Sequence, residues 1–213
     1  MSEDTTAAPA KNKGESSSLM MSLLPLLVLF GAAIVLFWLS QQDMAATYKY
    51  WEIFVPVVAV ISLVSGWSQA FVSDNSRLWY LIRQIIQWGL LIGLLYVLNA
   101  QGIRELMSDQ QYTALVLYLL AFTTLVAAVQ MDYKLLFFGV FLVFCAYLIM
   151  VPGDNPTLIG VGNFFGIADP QTKPLTVSMA MAATGFVASL FVLFMMRGAI
   201  TSKRVASRRK AGA

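Results

Sequence analysis

Long apolar segments alternate with short polar ones along the chain from residue 19 to residue 196. Each apolar segment is close to the ~20 residues that an α-helix needs to cross the hydrocarbon core of a bilayer. The pattern predicts six transmembrane helices, near residues 19–39, 52–72, 79–98, 112–130, 134–151 and 175–196. The segments are continuously apolar, whereas the strands of a membrane β-barrel alternate between apolar and polar positions. We therefore expect an all-α fold, a polytopic integral membrane protein built as a bundle of about six helices.

The polar segments divide the chain into three parts. Residues 1–18 are rich in Ser, Thr and Ala without apolar periodicity, which predicts a disordered N-terminal tail. The helical domain follows at 19–196, and a basic C-terminal tail occupies 197–213. The first apolar segment is longer than the ~7–15 residues of a signal-peptide core, and Phe37 and Trp38 lie at its far end. It is therefore interpreted as an uncleaved first helix.

Lysine and arginine residues are distributed unevenly between the two predicted sides of the membrane. If the N-terminus is cytoplasmic, 11 of the 14 basic residues fall on the cytoplasmic side, and only Lys49, Arg104 and Lys173 fall on the other. Positive residues accumulate in the cytoplasmic segments of inner-membrane proteins. We therefore expect a multi-pass protein of the bacterial inner (cytoplasmic) membrane with both termini in the cytoplasm.

The composition agrees with a chain whose main solvent is lipid. Hydrophobic residues make up 59% of the chain and charged residues 12%, and the mean hydropathy is +0.73, whereas soluble domains are about half apolar and roughly a quarter charged. The net charge of +3 comes largely from six bases in the C-terminal tail: Arg197, Lys203, Arg204, Arg208, Arg209 and Lys210. Such a tail fits anionic lipid headgroups rather than nucleic acid.

Groups that carry catalysis or bind cofactors are scarce in this sequence. Histidine is absent and the one cysteine, Cys145, lies in an apolar segment. Zinc sites with histidine, bis-histidine haem and a disulfide within the chain are thereby excluded. The sequence also lacks a nucleotide-binding glycine loop, a nucleophile elbow and paired carboxylates. We expect no cofactor, no metal and no enzymatic activity.

A set of polar residues lies within the second and third predicted helices, which a short connection joins as a hairpin. The set comprises Ser62, Ser65 and Gln69 in one helix and Arg83, Gln84 and Gln87 in the other. These residues form a candidate polar layer, which has two interpretations. In the first, the layer lines a polar pathway or a ligand site. In the second, its hydrogen bonds hold two helices together while Arg83 extends to the headgroups. The packing interpretation is preferred. The carboxylate nearest to a span, Glu52, lies at the outer end of the second helix.

Small residues recur along one face of the last predicted helix. Ser178, Ala182, Gly185 and Ser189 follow one another at spacings of four, three and four. Such a face lets another helix approach closely, either from this chain or from another subunit.

The outer loop 152–174 precedes this helix, and its apolar centre, 158–167, is too short to span the membrane. This centre is therefore expected to lie in the interface or to re-enter the bundle.

Two functions of different classes fit these features. The first is a non-enzymatic subunit or accessory of a larger membrane assembly, which associates with other membrane subunits or with itself. The second is a small transporter or channel for a polar or anionic solute, with the polar layer as its lining. The short connections without a soluble domain and the small-residue face favour the first.

Overall fold

The computed structural model describes residues 13–70, 77–130, 134–150, 153 and 155–211, and in these ranges every regular element is helical. The all-α prediction is therefore confirmed. The helices are α1 (Lys13–Gln42), α2 (Met44–Ala70), α3 (Arg77–Ala100), α4 (Ile103–Leu106), α5 (Asp109–Gln130), α6 (Lys134–Met150), α7 (Pro156–Phe164) and α8 (Pro174–Ala211), with a short 3-10 helix at Pro170–Thr172.

Five of the helices contain segments that are long and apolar enough to cross a membrane. They are Leu23–Gln42, Met44–Gly66, Leu78–Ala100, Asp109–Gln130 and Pro174–Phe191. The remaining predicted span, 134–151, corresponds to α6, which has 17 residues and is therefore about 26 Å long at 1.5 Å per residue. That length is slightly less than the ~30 Å of a typical hydrocarbon core. The chain is thus a polytopic membrane bundle of five long apolar helices and one shorter apolar helix.

Consecutive long helices run in opposite directions. Three hydrogen bonds demonstrate the antiparallel arrangement, because each joins a position late in one helix to a position early in another. The Gln41 amide, at the end of α1, donates to Thr176, at the start of α8. The Tyr80 hydroxyl of α3 donates to the Ser62 carbonyl of α2. The amide of Gln110, at the start of α5, donates to the carbonyl of Ile149, at the end of α6. The α1–α2, α3–α5 and α6–α8 connections therefore lie together at one end of the bundle, which we call the connection end.

Aromatic side chains fill the middle of the bundle. The Phe30 ring of α1 lies 5.2 Å from the Phe138 ring and 5.1 Å from the Phe141 ring of α6. The Phe37 ring of α1 lies 4.8 Å from the indole of Trp51 in α2. These five residues belong to one continuous buried cluster. Since aromatic pairs in such offset and edge geometries pack densely, the centre of the bundle is a solid core.

Two glycines allow neighbouring helices to approach closely. A Cβ atom at Gly66 of α2 would lie 2.1 Å from the Tyr80 hydroxyl oxygen of α3, and one at Gly139 of α6 would lie 2.8 Å from the Leu125 side chain of α5. Small residues at membrane helix contacts bring the backbones together and increase dispersion attraction. The α2–α3 and α5–α6 pairs both depend on such a contact.

Several predicted boundaries differ from the structure because helices extend past the apolar segments that hydropathy detects. The segment 40–51 was expected to be a loop, but α1 continues to Gln42 and α2 begins at Met44. Asp43 alone separates them, and its carboxylate accepts the Ala46 N–H at 3.0 Å, which caps α2. Polar residues are excluded from the bilayer core, but they can still be part of a helix in the headgroup region, where water forms hydrogen bonds with their side chains.

The two predicted tails are also more helical than expected. Residues 13–18, assigned to a disordered tail, already belong to α1, and α8 continues through the basic segment as far as Ala211. The remainder of the N-terminal tail, 1–12, lies outside the described residues.

The outer loop contains a helix of its own, α7. The Asn155 side chain caps its start by accepting the N–H groups of Thr157 and Leu158. The buried Leu158 of α7 packs in a small apolar cluster with Val177 of α8 and Leu148 of α6.

Candidate functional site

The serines of the predicted polar layer lie where α2 meets α3. Ser62 and Ser65 are both buried. The hydroxyl of Tyr80, a buried residue of α3, lies 3.5 Å from the Ser62 carbonyl oxygen and 3.4 Å from that of Leu63. Tyr80, which the polar pattern did not identify, therefore makes the contact between the two helices at this level. Gln69 belongs to α2, but its side chain is outside the described part of the structure.

The polar residues of α3 have three different environments. Gln84 is buried and accepts the indole N–H of Trp88 within α3 at 3.1 Å. Gln87 donates instead to the Thr123 carbonyl of α5 at 2.7 Å, and its Oε1 atom is buried without a hydrogen-bond partner. Arg83 is exposed, because neighbouring helix positions differ by about 100° around the axis. Gln84 shares a face of α3 with Tyr80, four residues earlier, which contacts α2 at Ser62, whereas Arg83 lies on the exposed side.

The small-residue face of α8 packs against other helices of the same chain. Ser178, Ala182 and Ser189 are buried, and a Cβ atom at Gly185 would lie 3.2 Å from the Phe30 ring of α1. The serine hydroxyls donate to backbone carbonyls one turn earlier in α8, Ser178 to Pro174 and Ser189 to Gly185. They are therefore satisfied within their own helix and leave a smooth surface on which α1 packs.

A charged cluster joins α2, α4 and α5 at the connection end. Arg104 of α4 forms an ion pair with Asp109 at the start of α5. Its guanidinium carbon lies 4.3 Å from the centre of the Tyr48 ring and 5.4 Å from that of Tyr112. The Tyr112 hydroxyl donates to Glu52 Oε1 at 2.5 Å. We call these five residues the Arg104 cluster.

The sequence alone identified only one member of the Arg104 cluster as chemically notable, the carboxylate Glu52. One local signal was present, since Tyr48 and Glu52 are four residues apart and share a face of α2. The bond between Glu52 and Tyr112 joins residues 60 positions apart, so no local pattern predicts it. Arg104 and Asp109 are partly exposed, with 22% and 36% of their side-chain surfaces accessible. The cluster thus lies at the rim of the bundle rather than in its core.

A pocket of about 280 Å³ with a mixed polar and apolar lining opens at the connection end, where its lining residue Gln110 follows Asp109 of the Arg104 cluster. It lies between the α1–α2 junction, the start of α5 and the start of α8. Its lining consists of Gln41, Met44, Gln110, Gln171, Thr172, Lys173, Pro174 and Leu175. We call it the connection-end pocket. The Gln41 amide donates to Thr176 at 3.0 Å and the Gln110 amide to Ile149 at 2.8 Å, so both glutamines are fixed in place.

The outward face of α3 is the most open helix surface among the predicted spans. Only 22% of the α3 span is buried inside the bundle, compared with 61% of the α5 span. Gly89 and Gly93 are exposed, and a Cβ atom at either would meet nothing within 4 Å. They lie on the side of α3 opposite to the buried Tyr80, Trp88 and Leu91.

The chain matches no protein-family model, and neither curated proteins nor solved structures show a significant similarity to it. Within the described residues, no three His, Cys, Asp or Glu side chains converge in a way that could hold a metal ion.

Proposed function

We propose that this protein is a non-enzymatic subunit or accessory of a larger membrane assembly and that it associates through the outward face of α3. The observation that carries this proposal is the pair of open glycines, Gly89 and Gly93, on the side of α3 away from the bundle. The spacing is that of the small-xxx-small motif, which lets two membrane helices approach until their backbones are in contact.

The rest of the α3 face has the form of a helix-packing surface. Apolar side chains continue the glycine stripe in both directions at spacings of four and three residues. Ile82 and Ile86 precede the glycines and Tyr96 follows them, and all three are exposed. Each glycine lowers helix propensity by about 1 kcal/mol relative to alanine, and Gly89 and Gly93 are two on one exposed face at the motif spacing, whereas Gly31 of α1 stands singly. A second helix would give the two glycines a packing role.

The proposed location is the bacterial inner membrane, with both chain termini in the cytoplasm. The distribution of basic residues supports this orientation, because the most basic segment then lies inside. The segment is part of α8, which extends to Ala211. A helix of 38 residues is about 57 Å long and exceeds the ~30 Å hydrocarbon core. Its basic end therefore projects to the surface, where anionic headgroups would bind it.

Association through α3 is tested by enlarging its glycines. The chain with a C-terminal tag, expressed at its native level, is extracted in mild detergent and analysed by size and by mass spectrometry. The wild type should elute with partner subunits or as an oligomer, whereas Gly89→Leu combined with Gly93→Leu should elute alone. Gly31→Leu is the matched control, because Gly31 of α1 is also exposed and open. A wild type that elutes as a lone monomer would count against the proposal.

The second candidate function is a small transporter or channel for a polar or anionic solute. It is favoured by Gln87, whose Oε1 atom is buried without a partner and is an acceptor available to a solute. A route of this kind would pass between α3 and α5, since aromatic residues fill the centre. In vesicles that show solute uptake, Gln87→Leu should abolish flux, whereas Ile86→Leu, on the outward face, should not. Equal flux in both variants would eliminate this candidate.

A further inference from the structure

The connection-end pocket combines one cation with three side-chain amides, two of which are fixed by hydrogen bonds. Among the described lining residues, Lys173 carries the one formal charge, and Gln41, Gln110 and Gln171 contribute the amides. The Nε2 atoms of Gln41 and Gln110 are already engaged as donors to Thr176 and Ile149. Their Oε1 atoms are left as acceptors. The pocket therefore offers a positive donor and neutral acceptors within one opening.

The charge on Lys173 is not balanced by a carboxylate in the described part of the chain. The ion pair found there joins Arg104 to Asp109. Two acids directly adjoin lining residues in sequence: Asp43 accepts the Ala46 N–H at Oδ1 and so caps α2, and Asp109 is the partner of Arg104. Asp169, two residues before Gln171, forms no ion pair with Lys173 in the described residues. A cation with no counter-ion beside acceptors for hydroxyl groups is the arrangement expected for an anion that also carries hydroxyl groups.

Apart from Thr172, the remaining lining residues of the pocket are apolar and belong to the membrane helices. Met44 begins α2, and Pro174 and Leu175 begin α8. The pocket thus lies at the level where spans leave the hydrocarbon and meet the headgroups. A ligand there would have its charged part near Lys173 and any apolar part along these apolar residues.

We propose that the connection-end pocket binds a glycerol phosphate group. The phosphate pairs with the Lys173 ammonium, and the glycerol hydroxyls donate to the glutamine Oε1 atoms. Two molecules present this chemistry at a membrane surface, namely the headgroup of phosphatidylglycerol and soluble glycerol 3-phosphate. The proposal is separate from the assembly function, because the pocket lies at the connection end and the open glycines lie along α3.

The test uses the full chain in nanodiscs of phosphatidylcholine alone or with phosphatidylglycerol. Bound lipid is counted by native mass spectrometry, and glycerol 3-phosphate is titrated into the phosphatidylcholine nanodiscs by calorimetry. Lys173→Gln removes the cation, and Lys49→Gln is the matched control, because Lys49 is an exposed base near the same end that does not line the pocket. A hydrogen bond to a charged group contributes about 1.5–3 kcal/mol, so Lys173→Gln should weaken binding about tenfold or more.

The outcomes distinguish a lipid ligand from a soluble ligand, and both of these from failure of the proposal. Phosphatidylglycerol retained by the wild type and by Lys49→Gln, but lost in Lys173→Gln, identifies a lipid site. Binding of glycerol 3-phosphate that is lost in Lys173→Gln but kept in Lys49→Gln identifies a site for the soluble molecule. If neither probe binds, or if the two lysine variants weaken binding equally, the proposal is wrong, because the attraction is then absent or is a general effect of surface charge.

Discussion

A guanidinium group beside two tyrosine rings holds the connection between α3 and α5 to the bundle. Arg104 lies over Tyr48 of α2 and near Tyr112 of α5, and the two rings are themselves in edge contact, 5.9 Å between centres. Each guanidinium–ring contact of this kind contributes about 0.5–1 kcal/mol at an exposed site. Arg104 is therefore the residue through which a short, otherwise exposed connection is fixed to two membrane helices.

Removal of the Arg104 side chain should destabilise the connection end. We expect Arg104→Ala to lower the free energy of unfolding by about 1–2 kcal/mol, because the ring contacts and a partly exposed ion pair are lost together. Arg104→Lys should have a smaller effect, since it keeps the charge but not the planar group. Thermal unfolding followed by tryptophan fluorescence gives the comparison. Glu105→Ala, at an exposed neighbour in the same helix, is the control, and an equal loss there would contradict this role.

At the scale of elements, α3 is attached to the bundle through one face, and the contact with α2 depends on Gly66. The side chain of Tyr80 occupies the space that a Cβ atom at Gly66 would need. The neighbouring contact with α5 is made by Gln87, which reaches the Thr123 carbonyl. The outward face of the same helix has no such contacts, which is why α3 is the element through which the proposed association occurs.

The importance of the α2–α3 contact can be measured with two alanine substitutions. Gly66→Ala should destabilise the protein by about 1–3 kcal/mol, the usual effect of inserting a methyl group into a packed contact. Gly31→Ala, at an open position, should be neutral or stabilise by up to ~1 kcal/mol, because alanine has the higher helix propensity. Addition of Tyr80→Phe to Gly66→Ala removes the hydroxyl oxygen nearest to the new methyl group and should partly restore stability. Similar unfolding temperatures for the two glycine variants would mean that the α2–α3 contact is looser than described.

At the scale of the whole molecule, the two ends of the bundle carry different polar groups. The Arg104 cluster and the connection-end pocket both lie at the connection end, and the aromatic core separates them from the other end. The basic part of α8 lies at that opposite end, because α8 runs antiparallel to α1, as the bond between Gln41 and Thr176 demonstrates. One surface of the membrane would therefore adjoin the Arg104 cluster and the connection-end pocket, and the other surface would adjoin the basic part of α8.

The orientation is tested by cysteine labelling of intact cells. Glu105→Cys, at the connection end, should react with a membrane-impermeant maleimide, whereas Ser207→Cys, in the basic part of α8, should react only after lysis. The native Cys145 is fully buried and should contribute little background, which Cys145→Ala can verify. Labelling of position 207 in intact cells, with position 105 protected, would reverse the predicted orientation.

The sequence was sufficient for the fold class and for the approximate place of each apolar span. Both follow from the free energy of transferring a segment into lipid, which depends on the composition of that segment alone. Orientation was also argued from the sequence, and it stays a prediction. Helix ends were less well determined: α2 begins before the predicted residue 52 because Asp43 caps it and the headgroup region tolerates the polar residues that follow.

Only the tertiary structure decided which polar and small residues meet. The pairing of Glu52 with Tyr112 and the burial of Gln84 rather than Arg83 depend on how each helix is rotated about its axis, and hydropathy does not fix that angle. The structure likewise placed Phe30 against the small-residue face of α8 and left the glycines of α3 open. The physical reason is that insertion into lipid depends on each segment separately, whereas packing between helices depends on the shapes of residues far apart in the chain.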